Sequence, residues 1–167
     1  MLEIRNIEST DKEWLLELFD DPDTREGFLP LDIQSVETYL QELLAKDFPG
    51  SSHLFGVAVD KQEQRVAFIQ SVNRQTHVTF SLVVDKKFRG QGVGTNLIQF
   101  YTNYILERSH FNEIRAFVRT TNMASIRAFT KAGFTNTGEA PGHEAPTYRF
   151  VMRRLDENRA AYQTLQS

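Results

Sequence analysis

The stretch from Leu82 to Ile98, Leu-Val-Val-Asp-Lys-Lys-Phe-Arg-Gly-Gln-Gly-Val-Gly-Thr-Asn-Leu-Ile, narrows the choice of fold more than any other part of the chain. It reads as an apolar strand end, a basic turn, a glycine loop and the start of a helix. Gly90, Gly92 and Gly94 place three glycines in five residues, which removes side chains where something must approach the backbone closely. A helix that starts there exposes unpaired N–H groups and the positive end of its dipole, and both favour an anion. Arg89, Lys86 and Lys87 add positive charge, so the simplest ligand is a pyrophosphate. The plain alternative is a glycine-rich turn that binds nothing.

Two common phosphate loops do not fit. A P-loop needs a lysine directly after its last glycine, and Thr95 follows Gly94. A dinucleotide fingerprint, Gly-x-Gly-x-x-Gly, puts Thr95 or Leu97 where its third glycine belongs. What fits is Arg-x-x-Gly-x-Gly, written here as Arg89-Gly90-Gln91-Gly92-Val93-Gly94 after a Leu82-Val83-Val84 strand.

The rest of the chain supplies the frame. Leu2, Ile4 and Ile7 alternate with polar residues as in a half-buried first strand. Thr10-Asp11-Lys12-Glu13 reads as a capping box before a helix that carries Trp14, Leu15, Leu18 and Phe19. Asp20-Asp21-Pro22-Asp23 reads as its stop, followed by a loop through Gly27-Phe28-Leu29-Pro30. Val36, Tyr39, Leu40, Leu43 and Leu44 predict a second helix from Ser35, ended by Phe48-Pro49-Gly50. Three strands, His53 to Val59, Arg65 to Val72 and Thr76 to Val84, are joined by short polar turns and predict an antiparallel meander.

After the glycine loop a helix runs to about Ser109, with Leu97, Ile98, Tyr101, Tyr104 and Ile105 facing inward. Glu113 to Arg119 is a fifth strand, reached by a helical crossover and so parallel to the fourth. Asn122 opens a short helix that Gly133 closes. Phe134 to Gly138 and Thr147 to Arg154 are the last strands, and the tail 156–167 is polar. The expectation is one α/β (α+β) domain over 1–167: a mixed, mostly antiparallel seven-stranded sheet flanked by about four helices, in the order βααβββαβαββ.

The glycine motif resembles the acyl-coenzyme A loop of the GNAT family of N-acetyltransferases. A second stretch, Val118 to Phe134, resembles that family's other signature: Asn122, a short helix with Phe129 and Lys131, then Gly133-Phe134. The resemblance spans roughly Ile4 to Arg154. It implies that the fourth and fifth strands splay and that a pantetheine arm lies between them. The main chain of Leu82, Val83 and Val84 is then implied to meet the pantetheine and the thioester. Arg89, Gly90, Gln91, Gly92, Val93, Gly94 and Thr95 are implied to wrap the pyrophosphate. Asn122 meets the pantetheine or phosphate arm, Phe129 lies near the sulfur and Lys131 reaches the nucleotide phosphates. On the residues alone, Asn122 is equally an ordinary N-cap and Phe129 equally a core residue. Ser125-Ile126-Arg127 before an aromatic resembles the branch acting on ribosomal-protein N-termini and aminoglycosides.

The resemblance therefore implies transfer of an acetyl group from acetyl-coenzyme A to a primary amine, on a small molecule or a protein N-terminus, by direct attack in a ternary complex. A non-catalytic acyl-coenzyme A binding module and an unrelated phosphate binder remain as alternatives. Many members of the family carry a tyrosine in place of Phe129, and some a glutamate in place of Phe117. Without either, the expected acceptor is a low-pKa amine, or else the base comes from the fourth strand. His77, Thr79 and Ser81 alternate there, which makes His77 and Ser81 the catalytic candidates. Glu26, in the loop after the first helix, with Tyr148 and Glu144 opposite, are the acceptor-binding candidates.

Composition excludes several other classes. The chain has no cysteine, so disulfides, thiolate metal sites and a cysteinyl acyl-enzyme are ruled out. His53, His77, His110 and His143 fall in no metal-like spacing, and no metal is expected. A formal charge of −3 argues against a nucleic-acid partner. No apolar run is long enough to cross a bilayer, and the start lacks the pattern of a signal peptide, so no membrane association and a cytoplasmic location are expected. The late strands lie at one side of the sheet, and an edge there predicts a homodimer through Thr147 to Arg154 or the tail.

Overall fold

The β-branched and aromatic runs pair as their alternation demands, and the sheet they build sets the geometry of everything else. The computed structural model describes residues 1–28, 35–45 and 53–155. Its strands are β1 (Glu3–Asn6), β2 (His53–Val59), β3 (Arg65–Asn73), β4 (Val78–Val84), β5 (Glu113–Arg119), β6 (Thr135–Glu139) and β7 (Thr147–Arg153). They form one seven-stranded sheet in the order β1-β2-β3-β4-β5-β7-β6. Every pairing is antiparallel except β4 with β5. The helices are α1 (Lys12–Asp20), α2 (Pro22–Gly27), α3 (Val36–Ala45), α4 (Val93–Arg108) and α5 (Met123–Lys131).

The element order is thus βαααβββαβαββ, one helix more than the sequence reading. Pro22 does not end structure but begins it. It sits at the first position of α2, where its missing N–H costs nothing, and Asp21 caps that helix by accepting from the Thr24 N–H at 3.2 Å. The first helix start also differs. The capping box is formed by Glu8 and Asp11 on a 3-10 turn at Ser9–Asp11, not by Thr10 and Glu13. Asp11 is recruited because it is fully buried and must be paired there. It binds Arg5 through two 2.8 Å hydrogen bonds and Arg65 at 2.6 Å.

Two apolar layers cover the two faces of the sheet. Phe80, Ile69, Ile114, Ala116, Val118 and Phe150 pack against α4 and α5 through Leu97, Ile98, Tyr101 and Phe129. On the other face Phe55, Phe68 and Val83 pack against Leu15, Leu18, Phe19, Val36 and Leu40 of α1 and α3. Tyr104, expected inward, is 47% exposed with Arg108 stacked on its ring at 4.6 Å. The expected helix stop at Phe48-Pro49-Gly50, part of the Leu29-Pro30 loop and the tail 156–167 lie outside the described residues. β7 is hydrogen-bonded on both sides, to β5 and β6. Its backbone is therefore not free to pair with a second copy, contrary to the dimer expected through it; the edge is β6.

Candidate functional site

The parallel ladder between β4 and β5 is short. It pairs Val78 with Ile114 and Thr79 with Arg115, and stops there. β3 meanwhile stays paired along the whole of β4, to Ala67–Val84. Beyond Thr79 the second edge of β4 therefore faces an opening wedge. Strand alternation decides which groups line it. The Asp85 N–H donates to Val66 C=O at 2.9 Å, so Asp85 and Val83 turn their main-chain groups towards β3. Those of Leu82 and Val84 turn into the wedge. Val83 thus differs from the sequence reading: its main chain is engaged by β3 and its side chain is buried with α1 and α3.

The glycine loop closes the wide end of the wedge. Gly90 and Gly92 have φ of 74° and 78°, in the left-handed region that a side chain disfavours. A Cβ at either would meet nothing within 4 Å, so the space beside them is open. Gly92 is the N-cap of α4 and offers no capping side chain. The first main-chain bond of α4 runs from the Asn96 N–H to Gly92 C=O at 3.1 Å, which leaves the N–H groups of Val93, Gly94 and Thr95 at the free positive end. Gly94 packs close to the strand, where a Cβ would lie 3.5 Å from Val84 Cγ2. The Gln91 side chain bonds back to Lys87 C=O at 3.2 Å. These residues fit a polyanionic cofactor: donors without bulk, beside open space, at the end of a strand with free main-chain groups.

Arg89 does not point into that space. Its Nε donates to Val84 C=O at 2.9 Å, and its Nη2 to Asp21 Oδ2 at 3.0 Å and Thr24 Oγ1 at 3.2 Å. Nη1 lies 3.3 Å from Asp23. Burial alone would raise the Asp21 pKa, but the Arg89 guanidinium and the Thr24 N–H hold it below its ordinary value. On the far side of the wedge, the Arg119 guanidinium reaches Arg25 C=O at 3.5 Å. Asn122 caps α5 by accepting from the Ser125 N–H at 3.1 Å. A Cβ built on Gly27 would fall 2.6 Å from Asn122 Nδ2. Helix α2 therefore spans the mouth, touching the end of β4 through Arg89 and the end of β5 through Arg119 and Asn122. The sequence reading missed this helix, although Asp21-Pro22 is a legible N-cap and first-turn pair.

The other candidates separate by face. Val83 and Thr79 share a face with Arg115 through the register, so Ser81, Phe117 and Arg119 lie on that same side, away from α4. Ser81 is half-buried there. Phe117 is 37% exposed, its ring 5.0 Å from that of His143. Tyr148 packs on the opposite face with the α4–α5 layer and so is not part of this surface. Glu26 is exposed on α2, not in a loop, and Glu144 is exposed in the loop before β7. His77 precedes β4 at the closed end of the wedge, where its C=O accepts from the Arg74 N–H at 2.8 Å. Burial and the neighbouring guanidinium of Arg115 lower its pKa. It is not brought together with Ser81 and the loop.

Phe129 is 5% exposed, with Phe134, Phe150 and Phe80 around it at ring distances of 5.1, 6.0 and 6.3 Å. Lys131 is exposed in the last turn of α5. Among the described residues no group of three or more His, Asp or Glu side chains could hold a metal. No described helix is long and apolar enough to cross a membrane.

The sequence profile of the acetyltransferase (GNAT) domain matches residues 1–135. The chain belongs to the GNAT family. The probable N-acetyltransferase YjcK of Bacillus subtilis (strain 168) is 28% identical to this GNAT chain over 104 residues, 62% of this chain and 58% of that protein. The chain thus spans less than two thirds of that relative. AAC(6')-Ib in complex with ribostamycin and coenzyme A superposes with a TM-score of 0.79 at 16% identity, covering 99% of this chain and 98% of that one. Spermidine N-acetyltransferase from Vibrio cholerae, in complex with coenzyme A and spermine, gives 0.78 at 17% identity over 91% and 95%. Ribosomal-protein-S5-alanine acetyltransferase from Vibrio fischeri gives 0.73 at 16% over 93% and 94%. At these identities the likeness is one of fold, and the GNAT fold is the one observed here.

Proposed function

We propose that the protein is an N-acetyltransferase that moves the acetyl group of acetyl-coenzyme A to a primary amine by direct attack in a ternary complex. The observation that carries this reading is the wedge: β4 and β5 part after Thr79 and Arg115, with a bare, glycine-capped helix start at the open end. Acetyl-coenzyme A supplies the activated thioester.

The chain's own groups do the rest. The N–H groups of Val93, Gly94 and Thr95 and the α4 dipole hold the pyrophosphate. The main chain of Leu82 and the Val84 N–H, whose carbonyl is taken by Arg89, hold the pantetheine arm, with the Asn122 amide and Lys131 as further contacts. An N–H of β4 that faces the wedge stabilises the oxyanion, an effect of about 3–4 kcal/mol in comparable sites. The acceptor enters from the opposite face, past Ser81, Phe117 and α2. Holding both reactants together contributes several kcal/mol, up to about 11.

The β4 and β5 side chains that flank the open wedge on the acceptor's face are Ser81 and Phe117, neither of them an acid or a base, which favours an amine of low pKa. Deprotonating a lysine side chain at pH 7 costs about 4.6 kcal/mol, against about 1 for an α-amino group. The leaving thiol, with a reference pKa near 8.5, needs no acid. The test is thiol release from acetyl-coenzyme A in the presence of peptide N-termini, polyamines, aminoglycosides and free lysine. Release with an α-amine supports the proposal. Tight binding of coenzyme A with no release for any amine would make the protein an acyl-coenzyme A binding module instead.

A further inference from the structure

The half of the sheet face on which the acceptor must arrive is basic. The registers Glu113↔Arg153, Arg115↔Val151, Phe117↔Arg149 and Arg119↔Thr147 put these side chains on one side of β5 and β7, turned away from α4 and α5. That side carries Arg115, Arg119, Arg149 and Arg153 against the single carboxylate Glu113, in a chain whose formal charge is −3. Glu113 is already engaged, by Arg115 at 2.5 Å and Arg153 at 3.0 Å. Arg119 is engaged at the end of α2.

Arg149 is different. Its Nε donates to Thr137 Oγ1 at 3.0 Å, its side chain is exposed, and no carboxylate among the described residues pairs with it. Directly across the strand stands Phe117, an exposed aromatic on an interior strand, with the His143 ring beside it. Extending the β4–β5 register by two residues brings Ser81 opposite Phe117 across the wedge. The row is therefore Ser81, wedge, Phe117, Arg149. The exposed carboxylates Glu26 and Glu144 lie off this strand face, on α2 and the β6–β7 loop.

We infer that the acceptor carries a carboxylate, and that Arg149, with Phe117 and His143, forms the subsite that selects it. This rests on the N-acetyltransferase reading above. Two strand spacings separate Arg149 from the wedge, about 10 Å. An extended chain covers about 3.3–3.6 Å per residue. A peptide with its free N-terminus in the wedge therefore presents the side chain of its second or third residue to Arg149. An acceptor bearing several positive charges meets four guanidinium groups on the same face and is disfavoured.

Two amidated tetrapeptides test this, Ala-Ala-Asp-Ala and Ala-Ala-Lys-Ala, each assayed for acetylation and for binding in the presence of coenzyme A. The expected result is at least a tenfold higher kcat/KM for the aspartate peptide, reversed in Arg149→Glu and abolished in Arg149→Gln. Arg149 is exposed, so both variants should melt with the wild type. A wild-type preference for the lysine peptide, or an unchanged ratio in Arg149→Glu, overturns the inference. Selective binding of the aspartate peptide without acetylation would uphold the subsite and overturn the enzymatic reading. Absence of both binding and turnover for either peptide overturns the inference while leaving other amines to test the activity.

Discussion

Arg89 Nη2 lies 3.0 Å from Asp21 Oδ2, so the arginine that opens the glycine motif is held by the cap of α2 and not directed into the open space beside the glycines. Asp21 joins two jobs in one carboxylate, because the same oxygen accepts from the Thr24 N–H. Asp21→Asn should keep the helix cap and lose the ion pair. We expect the acetyl-coenzyme A KM to rise threefold to tenfold, equivalent to about 1 kcal/mol, with kcat changed less. Asp21→Ala should in addition lose about 1 kcal/mol of stability through the missing cap. Steady-state kinetics and thermal melting check both; an unchanged KM in Asp21→Asn would show that the loop keeps its shape without α2.

Gly92 tests the anion site itself. Its φ is 78° and a Cβ there meets nothing within 4 Å, so Gly92→Asp costs only backbone strain, about 1 kcal/mol. The new carboxylate, however, stands at the helix start that the pyrophosphate needs. The variant should fold and lose coenzyme A binding by more than a hundredfold in titration calorimetry. Undiminished affinity in the folded variant would remove the basis of the functional reading.

Phe129 stands at the position that the family resemblance matches to a tyrosine, and its ring is packed among three other phenylalanines. A hydroxyl added there enters an apolar layer, so Phe129→Tyr should cost about 1–3 kcal/mol of stability. Turnover should change by far less than the ~10²–10⁴ of general acid–base catalysis. His77→Ala should leave kcat/KM for an α-amine unaltered, because His77 lies at the closed end of the wedge. The pH profile of kcat/KM should rise to a plateau near the acceptor's own pKa, about 8 for an α-amine. A thousandfold gain from the tyrosine would place an acid at this position after all.

Asp11 sets an acid limit on stability. Burial alone would raise its pKa, but hydrogen bonds from Arg5 and Arg65 outweigh that and hold it at about 2. A depressed carboxyl pKa stabilises the fold above its unfolded value of about 3.9, and that stability drains as pH falls towards about 2. The amount is about 2.5 kcal/mol. Urea melts of the wild type should weaken over this window, with Glu113 and Asp21 adding in the same direction, since their pKa values are also lowered. Asp11→Asn should be less stable at pH 7 and show a shallower loss between pH 4 and pH 2. An identical slope in the variant would assign the acid sensitivity elsewhere.

The strand runs, the parallel fifth strand and the glycine-capped helix were legible because each is a local pattern with one physical reading. Apolar alternation gives a strand, and a helical crossover between neighbouring strands gives a parallel pair. Asn122 as a cap and Gly133 at φ 100° followed from the same short-range chemistry. The sequence alone therefore determined the order of the strands and of the two helices that flank β5, but not α2.

What only the tertiary structure decided is the direction each group faces. Arg89 looked like a phosphate ligand because its partners Asp21 and Thr24 lie more than sixty residues away. Tyr148 and Ser81 were both candidates for the acceptor site, and the register places them on opposite faces of the sheet. His77 shares its alternation with Ser81, but a strand has two ends, and only the pairing with β5 shows which one opens. The row from Ser81 through Phe117 to Arg149 joins three strands that no local pattern connects. Side-chain direction in a sheet depends on register, and register is a property of the assembled strands.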